Sequence, residues 1–337
     1  MLFGRRPTHH ANALDHPDNE AACLFVSSKG IMKLCEVHQT FPNDHAEQWN
    51  PKALKRHKDG GRIYVHPTAL KDFVARSLTK VTASFVLVTG DFVFDLCPES
   101  MGRDVFGALT EHPLLVRWHA QNLAIQHPKI HAIPLGLDYH TLSLGRRPEW
   151  GPQASPRAQE DLLHTTRLLG KPLAERNALG YSNWRFALRN GDRTEVLQTL
   201  PREASFFEPT VIGRAESWRR NTEYFFTISP RGNGMDCHRT WEAILLGSVP
   251  IIPDLPINQL FHSLPVLIVQ NWADVTPQYL AREKERILHE TYDFAPVLLE
   301  TWRQRLLGNF NVRELRMTYQ EFVRLDQDDL RASMSEA

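Results

Sequence analysis

Long apolar runs are missing from this 337-residue chain, and no stretch approaches the ~20 consecutive apolar residues that a membrane-spanning helix needs. Net charge is missing too. Lys and Arg number 39 and Asp and Glu number 39, for a formal charge of +0, which argues against a chain built mainly to hold nucleic acid. Cysteine is scarce: Cys23, Cys35, Cys97 and Cys237 are the four present. They show no metal-ligand spacing, so a reducing, cytoplasmic setting is the simplest expectation. Residues 1–19 are rich in His, Pro and charge and lack an apolar h-region, so they do not read as a secretory signal. The 16 histidines include no pair with the spaced His/Cys/Glu pattern of a zinc centre on one element. Neither a Gly-x-Ser-x-Gly elbow nor a Walker loop is present. Asp326-Gln327-Asp328 has the form of a metal-binding Asp-x-Asp, but it lies in a polar tail after a helix rather than at a strand end. No metal site is expected.

What is there is an ordinary globular composition, 42% hydrophobic and 23% charged. The length suits two domains of roughly 150 residues each. Strand-like runs fall at 23–27, 62–65, 84–88, 114–118 and 130–134, with another extended approach over 31–37. Residues 84–88 are apolar throughout, as a parallel strand buried on both faces should be. Helical spacing covers 68–78. Residues 41–61 read as a polar linker whose cations Lys52, Lys55, Arg56 and Lys58 make a solvated surface or meet an anionic acceptor or membrane face. Residues 146–157, with several prolines and a glycine, read as the joint between an N-terminal domain (1–150) and a C-terminal one (151–337). Beyond it come a helix over 159–169, strands at 178–186 and 204–207, and short helices at 194–200 and 212–220. After a strand at 266–269, amphipathic helices over 277–292, 295–307 and 312–325 close the chain. The alternation predicts an α/β protein with two Rossmann-like domains.

Open α/β sheets gather ligands beyond the carboxyl ends of their strands. Asp91, His119 and Asp138 with His140 all fall just past predicted strand ends. Each is a candidate general base toward a hydroxyl, and for each, a turn hydrogen bond is the plainer alternative. Asp91 ranks first because a Gly-Asp leaving a buried strand holds its carboxylate in a fixed place.

Residues 222–254 carry the most information. Residues 224–228 form a β-branched and aromatic strand, and residues 229–234 form a loop whose Gly232 and Gly234 let backbone approach a ligand closely. Asp236 is a good N-cap for a helix over 237–246, Gly247 ends it, and 249–252 is a second buried strand. His238, Arg239 and Glu242 share one polar arc of that helix, while Trp241, Ile244, Leu245 and Ser248 face the sheet. A cation beside a glycine loop at a helix N-terminus suits a diphosphate, and a carboxylate one turn later suits a pair of ribose hydroxyls. Asp236 is the discordant residue, since it brings negative charge to the same place. The plain alternative is a surface ion pair between Arg239 and Glu242, worth little.

The string Arg239-x-x-Glu242-Ala243, followed by Gly247 and then Val249-Pro250, resembles the donor-binding motif of exostosin-type glycosyltransferases. The likeness is sharp over about thirty residues. It implies a GT-B arrangement, in which two Rossmann-like domains face each other across a cleft. The C-terminal domain would hold a nucleotide sugar, a uridine diphosphate sugar first, through Ser229, Arg231, Gly232, Asn233, Gly234, Asp236, His238, Arg239 and Glu242. The acceptor would be a glycan, glycolipid or other hydroxyl compound, with Asp91, His119 or Asp138 as the base. No cofactor beyond that co-substrate is implied. A non-catalytic nucleotide-sugar or glycan binding protein on the same fold is the competing class, and a phosphoryl-binding regulatory domain is a more distant one.

Overall fold

The structure is a computed structural model that describes residues 20–39, 48–184, 188 and 191–335. The N-terminal stretch 1–19, part of the 41–61 linker and the end of the strand expected over 178–186 lie outside the described residues. The chain is an α/β protein built on two parallel sheets. The first takes β1 (Gly61–Tyr64), β2 (Phe85–Thr89), β3 (Leu115–Ala120) and β4 (Ile130–Ala132) in the order β1-β2-β3-β4. The second takes β5 (Asn177–Ser182), β6 (Ser205–Phe207), β7 (Tyr224–Ile228), β8 (Val249–Pro253) and β9 (Leu267–Val269) in the order β6-β5-β7-β8-β9. Residues 146–157 carry no strand, and the two sheets are separate.

Strand β2 shows how sequence alternation becomes layering. All five residues are buried. Phe85 and Leu87 enter one core cluster with Leu70 and Phe73 of the helix Leu70–Arg76 and Leu109 of the helix Arg103–Thr110. Val86 and Val88 enter another with Ile31, Leu298 and Trp302. Successive side chains of a strand point to opposite faces, so one apolar run supplies both layers. The second cluster continues through Trp218, Trp241 and Ile251 of the C-terminal half.

Several expectations are corrected. Residues 31–37 do not form a strand: Ser27 Oγ accepts the Gly30 N–H at 3.1 Å and starts the helix Ser28–Lys33. A capping hydroxyl outweighs a short apolar run. Residues 312–325 are not one helix either. Arg316–Thr318 is strand β11, antiparallel to β10 (Thr291–Asp293), and Thr318 with Glu321 forms a capping box that delays the helix to Tyr319–Arg324. β10 likewise ends the preceding helix, Pro277–His289, short of the expected residue 292.

The chain also returns on itself. Leu299 N–H donates to the Leu24 carbonyl at 2.9 Å, and the helix Leu299–Leu307 packs against Ser28–Lys33. Gly247 ends the helix His238–Leu246 at φ 79, and a Cβ there would lie 2.8 Å from Val323. Both the left-handed backbone and the close approach call for glycine.

Candidate functional site

In the second sheet, β6 is added on one side of β5 and β7 on the other. The strand order therefore reverses between β5 and β7, and ligands of open α/β sheets collect beyond the carboxyl ends of such a pair. β7 ends at Ile228 and opens directly into the glycine loop. The helix His238–Leu246 buries Trp241, Ile244 and Leu245 and leaves His238, Arg239 and Glu242 partly accessible.

Arg239 is committed to its own loop. Its Nε donates to Ser229 Oγ at 3.2 Å and its Nη2 to the Pro230 carbonyl at 2.7 Å, while Ser229 Oγ shares a hydrogen with Thr240 Oγ1 at 2.8 Å. Burial pushes the guanidinium down to about 10, with Arg193 adding to the shift and Glu242 opposing it. Among the described residues Arg239 and Glu242 form no ion pair. Glu242 Oε1 instead faces Arg214 Nε at 4.0 Å. Gly232 and Gly234 are buried and Asn233 is the exposed tip, with the Gly232 N–H donating to the Gly234 carbonyl at 3.2 Å. A Cβ on Gly234 would lie 2.8 Å from the Asn122 side chain, so the glycine admits a residue from the other half. Arg231 Nη2 reaches across to both carboxylate oxygens of Asp95, at 2.9 and 2.8 Å.

Asp236 is not the N-cap. That position belongs to Cys237, whose side chain makes no capping bond. The Asp236 carboxylate accepts the Leu135 N–H at 2.7 Å and the Trp241 Nε1–H at 2.8 Å, and its own N–H donates to Asn122 Oδ1 at 2.9 Å. Burial pushes its pKa up to about 6, against the pull of the Leu135 and Trp241 hydrogen bonds. The negative charge that looked misplaced beside a phosphate is thus turned inward, onto the N-terminal half.

His238 also turns toward that half. Its Nδ1 lies 2.7 Å from the Gly136 carbonyl, and its ring is 6.4 Å from that of His140. His140 in turn bridges two carboxylates, with Nδ1 at 3.4 Å from Asp138 and Nε2 at 3.7 Å from Asp91. Asp138 accepts the Thr141 N–H at 2.9 Å and faces Arg214 Nη2 at 3.4 Å. Burial alone would raise its pKa, but His140, His238 and Arg214 together hold it below the usual carboxylate range. Asp91 has φ 59, a conformation that favours Asn, Asp and Gly. Its N–H donates to Gln121 Oε1 at 2.5 Å, and its carboxylate takes Lys29 Nζ at 2.6 Å and Ser28 Oγ at 3.2 Å.

Asp91, Asp138, His140, His238 and Glu242 therefore meet, linked through His140 and Arg214, with Lys29 paired to Asp91. His119 does not join them. It lies within β3, not past its end, is 1% exposed, and packs against His131 and Phe310 at ring distances of 5.6 and 6.5 Å. Burial pushes its pKa down to about 3, helped by His131 and Arg117. Its Nε2 meets no hydrogen-bond partner. Asp326 belongs elsewhere again: Asp326 Oδ1 accepts the Asp329 N–H at 2.8 Å and caps the last helix.

Lys29, Arg214 and Asn122 contact Asp91, Asp138 and Asp236 in turn and were missed by pattern reading. Lys29 falls between the two runs read as extended, 23–27 and 31–37, and Arg214 opens a helix, Arg214–Asn221, recognised only for its spacing. Asn122 has φ 51 and is 1% exposed, properties with no signature in a single sequence. Among the described residues no group of three or more His, Cys, Asp or Glu could hold a metal ion, and no helix is long and apolar enough to cross a membrane. No protein-family model matches the chain, and no curated protein matches it.

Proposed function

We propose that this chain is a glycosyltransferase of the GT-B type, similar to the exostosin family, which moves a sugar from a nucleoside diphosphate to an acceptor hydroxyl. The observation that carries this reading is the meeting of Glu242 and His238, from the helix at the sheet reversal, with Asp91, Asp138 and His140 from the other half. Donor chemistry and proton chemistry then meet in one cluster. Glu242, partly accessible, would accept hydrogen bonds from the ribose. Arg239 would hold the Ser229–Pro230 backbone in place and present its remaining N–H groups to the diphosphate, with Arg193 and Arg231 nearby.

In the transfer step, the acceptor oxygen forms a bond to the anomeric carbon as the bond from that carbon to the diphosphate breaks. The diphosphate leaves with the electron pair, and the cations and the helix N-terminus stabilise its charge. The acceptor proton goes to a ring nitrogen of His140, whose imidazole stands between Asp91 and Asp138. This refines the role first given to Asp91. That carboxylate is neutralised by Lys29 at 2.6 Å and suits orienting a base better than being one.

The same ion pair favours the second reading, a nucleotide-sugar binding protein without turnover. A screen of nucleoside diphosphates and their sugars by thermal shift, followed by a transfer assay with the best binder, tests both, because a ligand of the native state raises apparent stability. Binding with transfer supports the enzyme, and binding without it supports the module. If no nucleotide or nucleotide sugar binds, both readings fail.

A further inference from the structure

At the opposite end of the second sheet lies a cavity of about 280 Å³ between the helices Pro156–Leu169 and Tyr319–Arg324. Residues 171–173 line it and lead toward the N-terminal end of β5, so it is remote from the residues beyond the strands' carboxyl ends. Its wall contains Arg167, Lys171, Arg324 and Gln320, with Leu173 and Val323 as apolar surface and no carboxylate. Lys171 and Arg324 are exposed and, among the described residues, form no ion pair.

Arg167 is the unusual member. It is 1% exposed and stacks over Phe25 and Phe322 at 5.8 and 5.1 Å. Its Nη2 donates to the Leu325 carbonyl at 2.6 Å and meets His164 Nδ1 at 2.9 Å, but Nε and Nη1 find no acceptor. Arg176 is also 1% exposed and its Nη2 has no acceptor. Buried donors are rarely left unmatched, so each such group calls for an explanation.

Charge bookkeeping points the same way. Two helices end here, and their C-termini supply about half a negative charge each. The carboxylate that acts on Arg167 is Asp326. Against these stand Arg167, Lys171 and Arg324 in the wall, and Arg176 beside it, whose Nε donates to the Lys171 carbonyl at 2.9 Å. The balance stays positive.

We infer that this cavity binds a small phosphate-bearing anion, as a second site distinct from the proposed donor site. The volume of about 280 Å³ equals roughly nine water volumes at ~30 Å³ per water, room for an orthophosphate and several waters. It lies below the ~300–1,000 Å³ typical of drug-sized ligands. An inorganic phosphate or a compact phosphate monoester fits, and a nucleotide sugar does not. The rim cations Lys171 and Arg324 would close on the anion with charge-assisted hydrogen bonds.

The test is titration of the full chain with inorganic phosphate, then glycerol phosphate, followed by thermal shift and calorimetry. The comparison is with Lys171→Gln/Arg324→Gln, whose exposed side chains can change without disturbing the core, and with Glu242→Gln and Arg239→Lys at the proposed donor site. The expected result is saturable binding to the native chain, weakened about tenfold or more by the rim double variant and unchanged by the donor-site variants. Absence of saturable phosphate binding overturns the inference. So does binding that survives in the rim variant, and binding lost only with Arg239→Lys would place the phosphate in the proposed donor site instead. None of these outcomes depends on transfer activity, so the inference can fail while the glycosyltransferase reading stands, and the reverse.

Discussion

Asp236 and Leu135 are 101 positions apart in the chain, and the carboxylate of one accepts the backbone N–H of the other at 2.7 Å. The second carboxylate oxygen holds Trp241 Nε1–H at 2.8 Å. One buried acid thus ties the helix of the proposed donor site to the strand-end loop that carries Asp138 and His140.

Asp236→Asn retains one acceptor oxygen and turns an N–H donor toward the other partner. It should lower unfolding stability by ~1–3 kcal/mol, the cost of a buried donor left unmatched. The folded-state pKa is raised to about 6 from 3.8, so the folded chain binds more protons than the unfolded one between these values. Wild-type stability from this group therefore falls as pH rises through that window. Denaturant titrations should show a larger gap between wild type and Asp236→Asn at pH 4 than at pH 7. An equal gap at both would mean the carboxylate is not the titrating group.

Lys29 and Asp91 form a buried pair with side chains 3% and 7% exposed. Removing one partner strands the other's charge, at a typical cost of ~3–5 kcal/mol. Lys29→Met and Asp91→Asn should each destabilise, and the double variant should recover much of the loss. Because Asp91 is proposed to orient His140, Asp91→Asn should also lower turnover, by less than His140→Ala does, with little change in donor affinity. Strictly additive stability changes in the cycle would show that the two side chains act independently.

Glu242→Gln should weaken donor binding by ~1.5–3 kcal/mol, as loss of a charge-assisted hydrogen bond does. The loss should be smaller for a 2′-deoxyribose analogue. Arg239→Lys cannot keep both the Ser229 and Pro230 contacts, so it should harm diphosphate-bearing ligands and spare the nucleoside. Calorimetric titration of each variant with nucleoside, nucleoside diphosphate and deoxy analogue reads this out. Unchanged affinities for ribo- and deoxyribonucleotides in Glu242→Gln would remove the ribose role.

His119→Phe should leave turnover near wild type, because the imidazole is buried in β3 against His131 and Phe310 and its Nε2 has no partner. Its folded pKa is pushed down to about 3 from 6.5. Its contribution to stability is present in full above 6.5 and is lost as pH falls toward 3. The variant should therefore lose less stability on acidification than wild type. A folded His119→Phe protein without turnover would return His119 to the reacting centre.

Local pattern was enough for much of this chain. The apolar run of β2, the strand–glycine loop–helix–strand unit over 224–253 and the buried face of Trp241, Ile244 and Leu245 are each dictated by periodicity or turn chemistry within a dozen residues. Asp91 was legible as a loop residue past a strand for the same reason, whereas β4 ends at Ala132, well before Asp138, and His140 opens the short helix His140–Ser143. Which of them meet was not legible. His119 differs from them because β3 runs two residues beyond its expected end, and strand ends are set by pairing with β2 and β4. Asp236 read as a cap because a cap is the local use of such a residue. Its carboxylate bonds Leu135 because the two halves close on it, and burial forces a charged group to find whatever donors the other half supplies. Lys29 and Arg214 entered the cluster by the same route, drawn by carboxylates more than sixty residues away in sequence. Short-range pattern determined most of the elements and their faces, while the pairing of charges across the halves was decided by the tertiary structure alone, since Coulomb and desolvation energies depend on distances through space that no single sequence states.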